Sequence, residues 1–276
     1  MKKNIRIKLK HALFFLSGLL FLTSCNSDDD STFLPVDLIP DYNGKVYQIS
    51  FFKVVQSGGI NQINQFTEDI SSLLDNYGGR LLSPPITITD SIIESNSLPS
   101  VARTIDYNFM LITEFPDEDQ IQLFRNNLQY QQLVEALENN TIDSHTELLS
   151  IPSPPPPGGN APPLFGSIPA REQPPAFYLL NFITLIDDPI SQQSFNDYLG
   201  LQIPRVLEVE TVFSNTFIPL IVLKGEFVPV TFISLAEFRD EDAFNQIHND
   251  IDAIENIFPL RNNVISDFVE ARATIN

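Results

Sequence analysis

The sequence predicts an α+β fold in which two βαββαβ repeats pair within one chain. Three observations predict it. A proline-rich segment divides the chain, both sides of it show the same order of strand and helix patterns, and one short stretch recurs without a gap 123 residues later. A chain of 276 residues can bury a core in each repeat.

The N-terminal segment, residues 1–24, is typical of a secretory signal. Five Lys and Arg residues precede residue 11, and an apolar run of about eleven residues follows, too short to span a bilayer. Leu22-Thr23-Ser24-Cys25 resembles the lipobox of bacterial lipoproteins, which implies cleavage before Cys25 and acylation of its thiol. Two or more acyl chains anchor stably, so the lipid bilayer is an expected partner.

Residues 25–44 form a predicted acidic tether. Its Ser27, Asp28, Asp29 and Asp30 resemble the export tag that carries some Gram-negative lipoproteins to the outer face of the outer membrane. The expected location is therefore the outer membrane, lipid-anchored, with exposure at the cell surface. A plain solvated tether is the alternative interpretation.

The strongly negative net charge argues against nucleic acid as a partner. The chain has 16 Lys and Arg against 35 Asp and Glu, and removal of the signal leaves 11 against 35, a net charge of −24. Such a surface repels phosphates, so we expect no nucleic-acid binding. Cys25 is the only cysteine, so no internal disulfide can form.

The segment 152–175 is a predicted linker, because ten of the 21 prolines lie in it. Polyproline II geometry makes such a segment semi-rigid and solvated. The alternative is a ligand for a proline-recognition domain. The linker leaves a first domain at 45–151 and a second at 176–276.

Each domain opens with a predicted strand, 46–55 in the first and 177–186 in the second, rich in aromatic and β-branched residues. The internal match joins 112–119 to 235–242, with five of eight positions identical. In both copies a strand ends at Glu-Phe and an acidic first turn begins a helix. At the same offset, Glu147 aligns with Glu270.

The helix after this match shows an apolar stripe at steps of three and four, which predicts packing on a sheet. Its members are Phe244, Ile247, Ile251, Ile254 and Phe258 in the second domain, and Ile121, Phe124 and Leu128 in the first. Residues 141–151 and 262–275 read as closing strands.

These connections fit a ferredoxin-like fold, which leaves one face of a four-stranded sheet uncovered. Two such sheets can cover each other, so a tandem duplication would let one chain build an α+β barrel. We therefore expect a monomer with intramolecular pairing of its halves.

Short motifs carry a resemblance to the dimeric α+β-barrel family catalogued as domain of unknown function 1330. The second half matches at Leu223-Lys224-Gly225, Glu237-Phe238 and Pro259-Leu260-Arg261, and the first at Gly78-Gly79-Arg80, Glu114-Phe115-Pro116 and Tyr130. The departures are Val209-Glu210 in place of the glycine pair, Lys224 in place of an acid, and Glu138 in place of the arginine equivalent to Arg261. A site shared by that family would be incomplete in each half.

Glu114 and Glu237 end equivalent strands and are candidates to face the space between the sheets. A carboxylate there would have a raised pKa and could bind or move a proton. The alternative is that each caps the following helix. Arg80 and Arg261 could pair with these acids or hold an anionic ligand, or form surface ion pairs.

No catalytic residue, metal ligand or cofactor is predicted, because metal-ligand spacings, Gly-rich phosphate loops, a nucleophile elbow and a Cys/His pair are all missing. These gaps favour a non-catalytic binding or scaffold lipoprotein over an enzyme, with a small apolar ligand between its sheets or an envelope protein as partner. The alternative is a cofactor-free monooxygenase- or isomerase-like enzyme that uses the barrel cavity. That alternative requires Glu114 or Glu237 to lie beside an open pocket.

Overall fold

The structure, a computed structural model, describes residues 44–55, 58–95, 106–153, 177–186, 189–209 and 212–275. The predicted signal, Cys25, the tag at Ser27 to Asp30 and nearly all of the 152–175 linker lie outside these residues. The domain boundaries drawn through them therefore stay predictions.

The first half contains five strands and three α-helices in the described residues. In chain order they are β1 (Val46–Val54), α1 (Gly59–Leu74), a 3₁₀ turn (Asp75–Tyr77), β2 (Arg80–Leu81), β3 (Ile86–Ser95), β4 (Phe109–Phe115), α2 (Glu118–Arg125), α3 (Leu128–Asn140) and β5 (Ile142–Pro152).

The second half repeats this order without the short β2. Its elements are β6 (Phe177–Leu185), α4 (Pro189–Glu208), β7 (Val212–Lys224), β8 (Phe232–Phe238), α5 (Glu241–His248), a π-helical turn (Ala253–Ile257), α6 (Phe258–Asn262) and β9 (Ile265–Ile275).

Eight strands close into one antiparallel barrel in the order β1-β5-β7-β8-β6-β9-β3-β4, with β4 returning to β1 and β2 added beside β4. The first half supplies β5-β1-β4-β3 and the second β9-β6-β8-β7, and the halves meet at the pairs β5–β7 and β3–β9. The predicted intramolecular α+β barrel is therefore confirmed.

Neighbouring strands are antiparallel, so β1 and β6, four positions apart around the ring, run in the same direction. Tyr47 and Tyr178 stand second in these two strands, and each lies opposite the glutamate that stands next to last in β4 or β8. Glu114 and Glu237 therefore lie at the same end of the barrel, which we call the entry end.

The barrel interior is apolar. Side chains alternate between the two faces of a strand, and all eight strands contribute to one buried cluster inside: Tyr47, Ile49, Phe51, Leu82, Ile86, Ile88, Met110, Ile112, Leu148, Leu180, Phe182, Phe217, Val230, Ile233, Leu235, Ala271 and Ala273. Burying one large apolar side chain contributes roughly 1.5–3 kcal/mol, so this cluster is a principal source of stability.

An aromatic group closes the end opposite the entry end. Phe227, from the loop between β7 and β8, stacks on Phe51 with ring centroids 5.8 Å apart. The Tyr107 ring lies 5.3 Å from Phe51, and its hydroxyl donates to the carbonyl oxygen of Glu226 at 3.0 Å. Glu226 and Phe227 thus both fasten the loop to the barrel.

Helices cover the outer face of each half, but the predicted apolar stripes are wrong at three positions. Ile251, Ile254 and Leu128 are 71%, 48% and 68% exposed. The helix after each Glu-Phe strand ends early and a second begins where Asn127 or Asp250 accepts backbone N–H bonds. This restart rotates the later residues away from the sheet.

No helix of the described residues is long and apolar enough to cross a membrane.

Candidate functional site

The entry end holds the first predicted site residue, Glu114, with three partners. Its carboxylate accepts hydrogen bonds from Lys45 Nζ at 2.6 Å, Arg80 Nε at 2.8 Å and the Tyr47 hydroxyl at 3.1 Å. Glu114 is buried, whereas the side chains of Lys45 and Arg80 are about half exposed. The prediction that Arg80 pairs with this acid agrees with this geometry.

The expectation of a raised pKa is wrong for Glu114. Burial by itself would raise the pKa of the carboxyl, but the hydrogen bonds from Arg80 and Lys45 outweigh burial and lower it. The alternative role as a helix cap is also wrong, since Asp117 and Asp240 cap the following helices. Glu114 is therefore ionised, and its carboxylate links β4 to Tyr47 of β1 and to Arg80 of β2.

Glu237 is buried at the entry end, opposite Tyr178. Arg261 does not reach it. The guanidinium of Arg261 lies between the rings of Phe258 and Phe268, 4.9 and 4.7 Å from their centroids, on the outer face of the sheet. The structure thus joins Glu114 with Arg80 but separates Glu237 from Arg261, and a ligand pocket built from these four residues stays a prediction.

A second group of ionisable residues with shifted pKa values lies elsewhere, in a cluster that the sequence did not predict as a site. It occupies the outer face of the first half, between β1, β5 and the helices α2 and α3. We call it the Glu147 network, and it comprises Gln48, Arg125, Tyr130, Glu138, His145, Glu147 and Lys224.

Glu147 is at the centre of this network and is fully buried. Its Oε1 accepts the Tyr130 hydroxyl at 2.5 Å, and its Oε2 accepts Arg125 Nε at 3.0 Å. His145 Nε2 lies 3.2 Å from Oε1, a charge contact without hydrogen-bond alignment. Nδ1 of the same ring lies 3.0 Å from Glu138.

The protonation states follow from these contacts. Burial would raise the pKa of Glu147, but the contacts with His145 and Arg125 lower it to about 2. Burial would lower the pKa of His145, yet Glu138 and Glu147 raise it. Burial and the Glu147 charge raise the pKa of Tyr130 well above its ordinary value. Glu147 is therefore ionised, and its charge favours the protonated form of His145 and the neutral form of Tyr130.

The second half carries a related but different arrangement at the same place. Asn181 lies opposite both Glu270 and Ser234 in the strand registers, and all three are buried on the outer face. We call these three residues the polar row. Above it, His248 Nε2 lies 3.9 Å from Glu270 Oε2, and the His248 side chain is 27% exposed.

Aromatic rings border this position. The His248 ring lies 4.4 Å from the Phe244 ring and 5.8 Å from the Phe258 ring, measured between centroids. The side-chain oxygen of Asn181 is buried with no hydrogen-bond partner in the described structure. Such an oxygen carries an unrelieved desolvation cost that a bound donor would remove.

The sequence did contain a signal for these positions. Glu147 aligns with Glu270, and Arg125 with His248, at the offset of the internal match. Each basic residue faces its glutamate in the structure. The repeat thus has Arg in the first half where the second half has His. Among the described residues, no three His, Cys, Asp or Glu side chains form a group that could hold a metal ion.

Comparison with solved structures identifies the barrel as a known architecture. An anthrone oxidase-like protein is 10% identical, with a TM-score of 0.50 over 86% of this chain and 92% of that chain. A proposed monooxygenase from Fusobacterium nucleatum subsp. nucleatum is 11% identical, with a TM-score of 0.49 over 85% and 93%. A chlorite dismutase variant from Candidatus Nitrospira defluvii is 10% identical, with a TM-score of 0.48 over 85% and 92%.

No protein-family model and no curated protein sequence matches the chain. The dimeric α+β barrel is thus the level at which the predicted resemblance is supported, and the narrower match to domain of unknown function 1330 gains no support.

The prediction of a non-catalytic binding or scaffold module is wrong as the leading interpretation. The solved structure that reaches a TM-score of 0.50 with this barrel is described as an anthrone oxidase-like protein, which is an enzyme-like description. At this level of identity the likeness itself establishes the fold, and any activity has to be argued from the residues of this chain.

Proposed function

We propose that this chain is a cofactor-free, oxygenase-like barrel enzyme. Its site lies on the outer face of the second half, at the polar row and His248, and its substrate is an aromatic ring ketone with an acidic CH₂ group. The observation that carries the proposal is the partly exposed imidazole of His248, 3.9 Å from the buried carboxylate of Glu270.

An imidazole held beside a carboxylate is suited to accept a proton, because the carboxylate stabilises the imidazolium that forms. Within the site, the polar row lies on one side of His248, and the rings of Phe244 and Phe258 lie beside the His248 ring. A few polar groups among apolar and aromatic walls are typical of a small-molecule site.

The proposed reaction balances without a cofactor. His248 takes one proton from the CH₂ group, and the resulting carbanion reduces O₂ and bonds to it. The peroxide receives the proton, the second C–H proton leaves, and the O–O bond breaks. The products are a new ring carbonyl and water, so one oxygen atom enters the substrate and the other is reduced to water. An anthrone oxidase-like protein among the solved structures supports this choice of substrate class.

The proposed site lies outside the barrel interior. The interior residues form one apolar cluster, and Glu114 is held as an anion by two cations. A strongly stabilised anion is a poor general base near neutral pH. The outer face of the second half fits proton transfer better.

We also propose that each half is a ferredoxin-like unit derived from one duplicated ancestor. The shared strand order and the repeated caps at Asp117 and Asp240 support it. Anchoring through Cys25, outside the cytoplasm, is a further proposal from sequence. Incorporation of a palmitate analogue should occur in the intact protein and be lost in Cys25→Ala, and equal labelling of both would contradict it.

Oxygen consumption tests the proposed activity. The full-length protein, purified in detergent, is incubated with anthrone, and O₂ uptake and quinone absorbance are followed. His248→Gln should lower kcat roughly 100-fold or more, as expected for loss of a general base. His145→Gln, the histidine of the other half, should retain turnover and lose stability.

Absence of O₂ uptake above the background of anthrone alone would overturn the proposal. Turnover of His248→Gln at the wild-type rate would overturn the assigned base. Substrate conversion without O₂ consumption would indicate an isomerase instead.

A further inference from the structure

Two cations share one buried carboxylate at the entry end. Lys45 Nζ lies 2.6 Å and Arg80 Nε 2.8 Å from the same atom, Oε1 of Glu114. The second oxygen of that carboxylate accepts the Tyr47 hydroxyl at 3.1 Å and lies 3.4 Å from Arg80 Nη2. Both oxygens of Glu114 are therefore occupied, and one negative charge faces two positive charges.

Other ion pairs of the described residues show an even or an opposite balance. Arg205 lies beside two carboxylates, those of Asp250 and Asp252. The Lys45–Arg80 pair thus forms a local excess of positive charge on a chain that has 16 Lys and Arg against 35 Asp and Glu. Two cations at one oxygen also repel each other, and a second anion would relieve that repulsion.

Solvent reaches both cations, so an anion needs no cavity in order to contact them. The side chains of Lys45 and Arg80 are 53% and 50% exposed, whereas that of Glu114 is 4% exposed. An ammonium group has three N–H donors and a guanidinium has five. Glu114 takes one donor from Lys45 and two from Arg80. The remaining side-chain N–H groups of both residues make no hydrogen bond within the described part of the chain.

The Gly78-Gly79 turn holds Arg80 in this position. Gly78 has φ +63°, a left-handed conformation that favours glycine. A Cβ at Gly79 would lie 3.0 Å from the Phe115 ring, so the turn packs closely on the end of β4. Arg80 then lies opposite Glu114 in the register of β2 and β4. A guanidinium fixed in this way loses little freedom when it binds a second anion.

We propose that Lys45 and Arg80 bind the carboxylate of a small organic acid on the solvent side of Glu114. The planar guanidinium presents paired N–H groups that fit a carboxylate, and the ammonium supplies a further charge-assisted bond. One excess positive charge at the site matches one negative charge on the ligand. A dianion such as a phosphate monoester is disfavoured, because the acidic chain repels the additional charge. This site is separate from the one at His248 and does not depend on the proposed function.

The test titrates the full-length protein in detergent with acetate at constant ionic strength. Acetamide, which has a similar shape and no charge, is the matched ligand control. Ligand-observed NMR measures the affinity, and the Arg80 Nε–H signal reports the location. We expect acetate to shift that signal and acetamide to bind at least about tenfold more weakly, because acetamide forms no charge-assisted pair. Equal affinities of the two ligands would overturn the inference.

Arg80→Gln should weaken acetate binding by about tenfold or more, because it removes one of the two charged partners. Arg239→Gln is the matched control and should bind acetate like wild type, since Arg239 is equally exposed and has its own carboxylate at Asp240. Lys45→Gln should also weaken binding and keeps the proposal testable if Arg80→Gln fails to fold. Wild-type affinity in either folded variant would contradict the assigned site.

Inorganic phosphate distinguishes the two classes of anion. At about pH 8 it is mainly a dianion, so it should bind more weakly than acetate. Phosphate binding that equals or exceeds acetate binding would overturn the assignment of a monocarboxylate.

Discussion

Arg125 reaches from α2 to the carboxylate of Glu147, with Nη2 2.9 Å from Oε2, and it also donates to the carbonyl oxygen of Leu223 at 2.9 Å. The Arg125 side chain thus links α2 both to β5 of the first half and to β7 of the second half. The Glu147 network therefore stabilises the seam at which the two halves join.

Glu147→Gln should lower the free energy of unfolding by about 3–5 kcal/mol. The substitution leaves the Arg125 and His145 charges without their buried partner, and such a loss is more costly than deleting an exposed pair. Urea denaturation measures the change. Glu135→Gln, an exposed glutamate of α3, is the control and should change stability by less than about 0.5 kcal/mol. Equal small effects of both substitutions would contradict the stabilising role.

The Glu147 network should make stability depend on pH at both ends of the range. The pKa of Glu147 falls from 4.5 to about 2 on folding, so its contribution is present above pH 4.5 and is lost as pH falls towards 2. The pKa of His145 rises from 6.5, so its contribution is complete below pH 6.5 and is lost as pH rises through the folded value.

Unfolding free energies of wild type and His145→Gln, measured from about pH 3 to about pH 9, check this dependence. The difference between the two proteins should be largest between about pH 4.5 and about pH 6.5 and should shrink towards pH 9. A difference that grows at alkaline pH would show that His145 is neutral in the folded protein.

Gly225→Ala should destabilise the protein by about 1–3 kcal/mol and loosen the Phe227 loop. Gly225 has φ +74°, and a Cβ there would overlap the carbonyl oxygen of His145. Both the left-handed conformation and the close approach disfavour a side chain.

Gly200→Ala is the matched control. Gly200 is exposed inside α4, and no group other than the adjoining backbone of its own helix lies within 4 Å of the place that an added methyl group would take, so alanine should stabilise the helix by about 0.5–1 kcal/mol. Thermal unfolding of both variants measures the contrast, and a neutral Gly225→Ala would refute the packing argument.

The broken helix of the second half predicts effects of very different size for substitutions of two isoleucines from one sequence stripe. Ile247 is 7% exposed and Ile251 is 71% exposed. Ile247→Ala should cost about 2–5 kcal/mol because it leaves a cavity, whereas Ile251→Ala should change stability by less than about 0.5 kcal/mol. Similar losses for both, measured by urea denaturation, would favour an unbroken helix.

The sequence predicted the barrel from information that is local and repeated. Strand β1 begins at Val46 and β6 at Phe177, as the aromatic and β-branched runs indicated, and β9 ends at Ile275. The position of Glu114 and Glu237 near the ends of equivalent strands also made them candidates to face the space between the sheets. Such features depend on residues close in sequence, so one sequence suffices to infer them.

The charge state of Glu114 and the end of each apolar stripe could not be inferred in the same way. Lys45 and Arg80 reach Glu114 from segments 69 and 34 residues away, and their hydrogen bonds reverse the effect of burial on its pKa. Each apolar stripe ends where Asn127 or Asp250 begins a new helix. Whether the helix stays intact or breaks at such a cap depends on how it packs on the sheet.

By itself, the sequence determined the repeats, the strand ends and the acidic character of this protein, because periodicity, composition and charge are properties of neighbouring residues. Only the tertiary structure decided where a reactive centre could lie. Buried carboxylates and their partners come from distant segments, and the exchange of Arg125 for His248 can be interpreted only once each is seen beside its own glutamate.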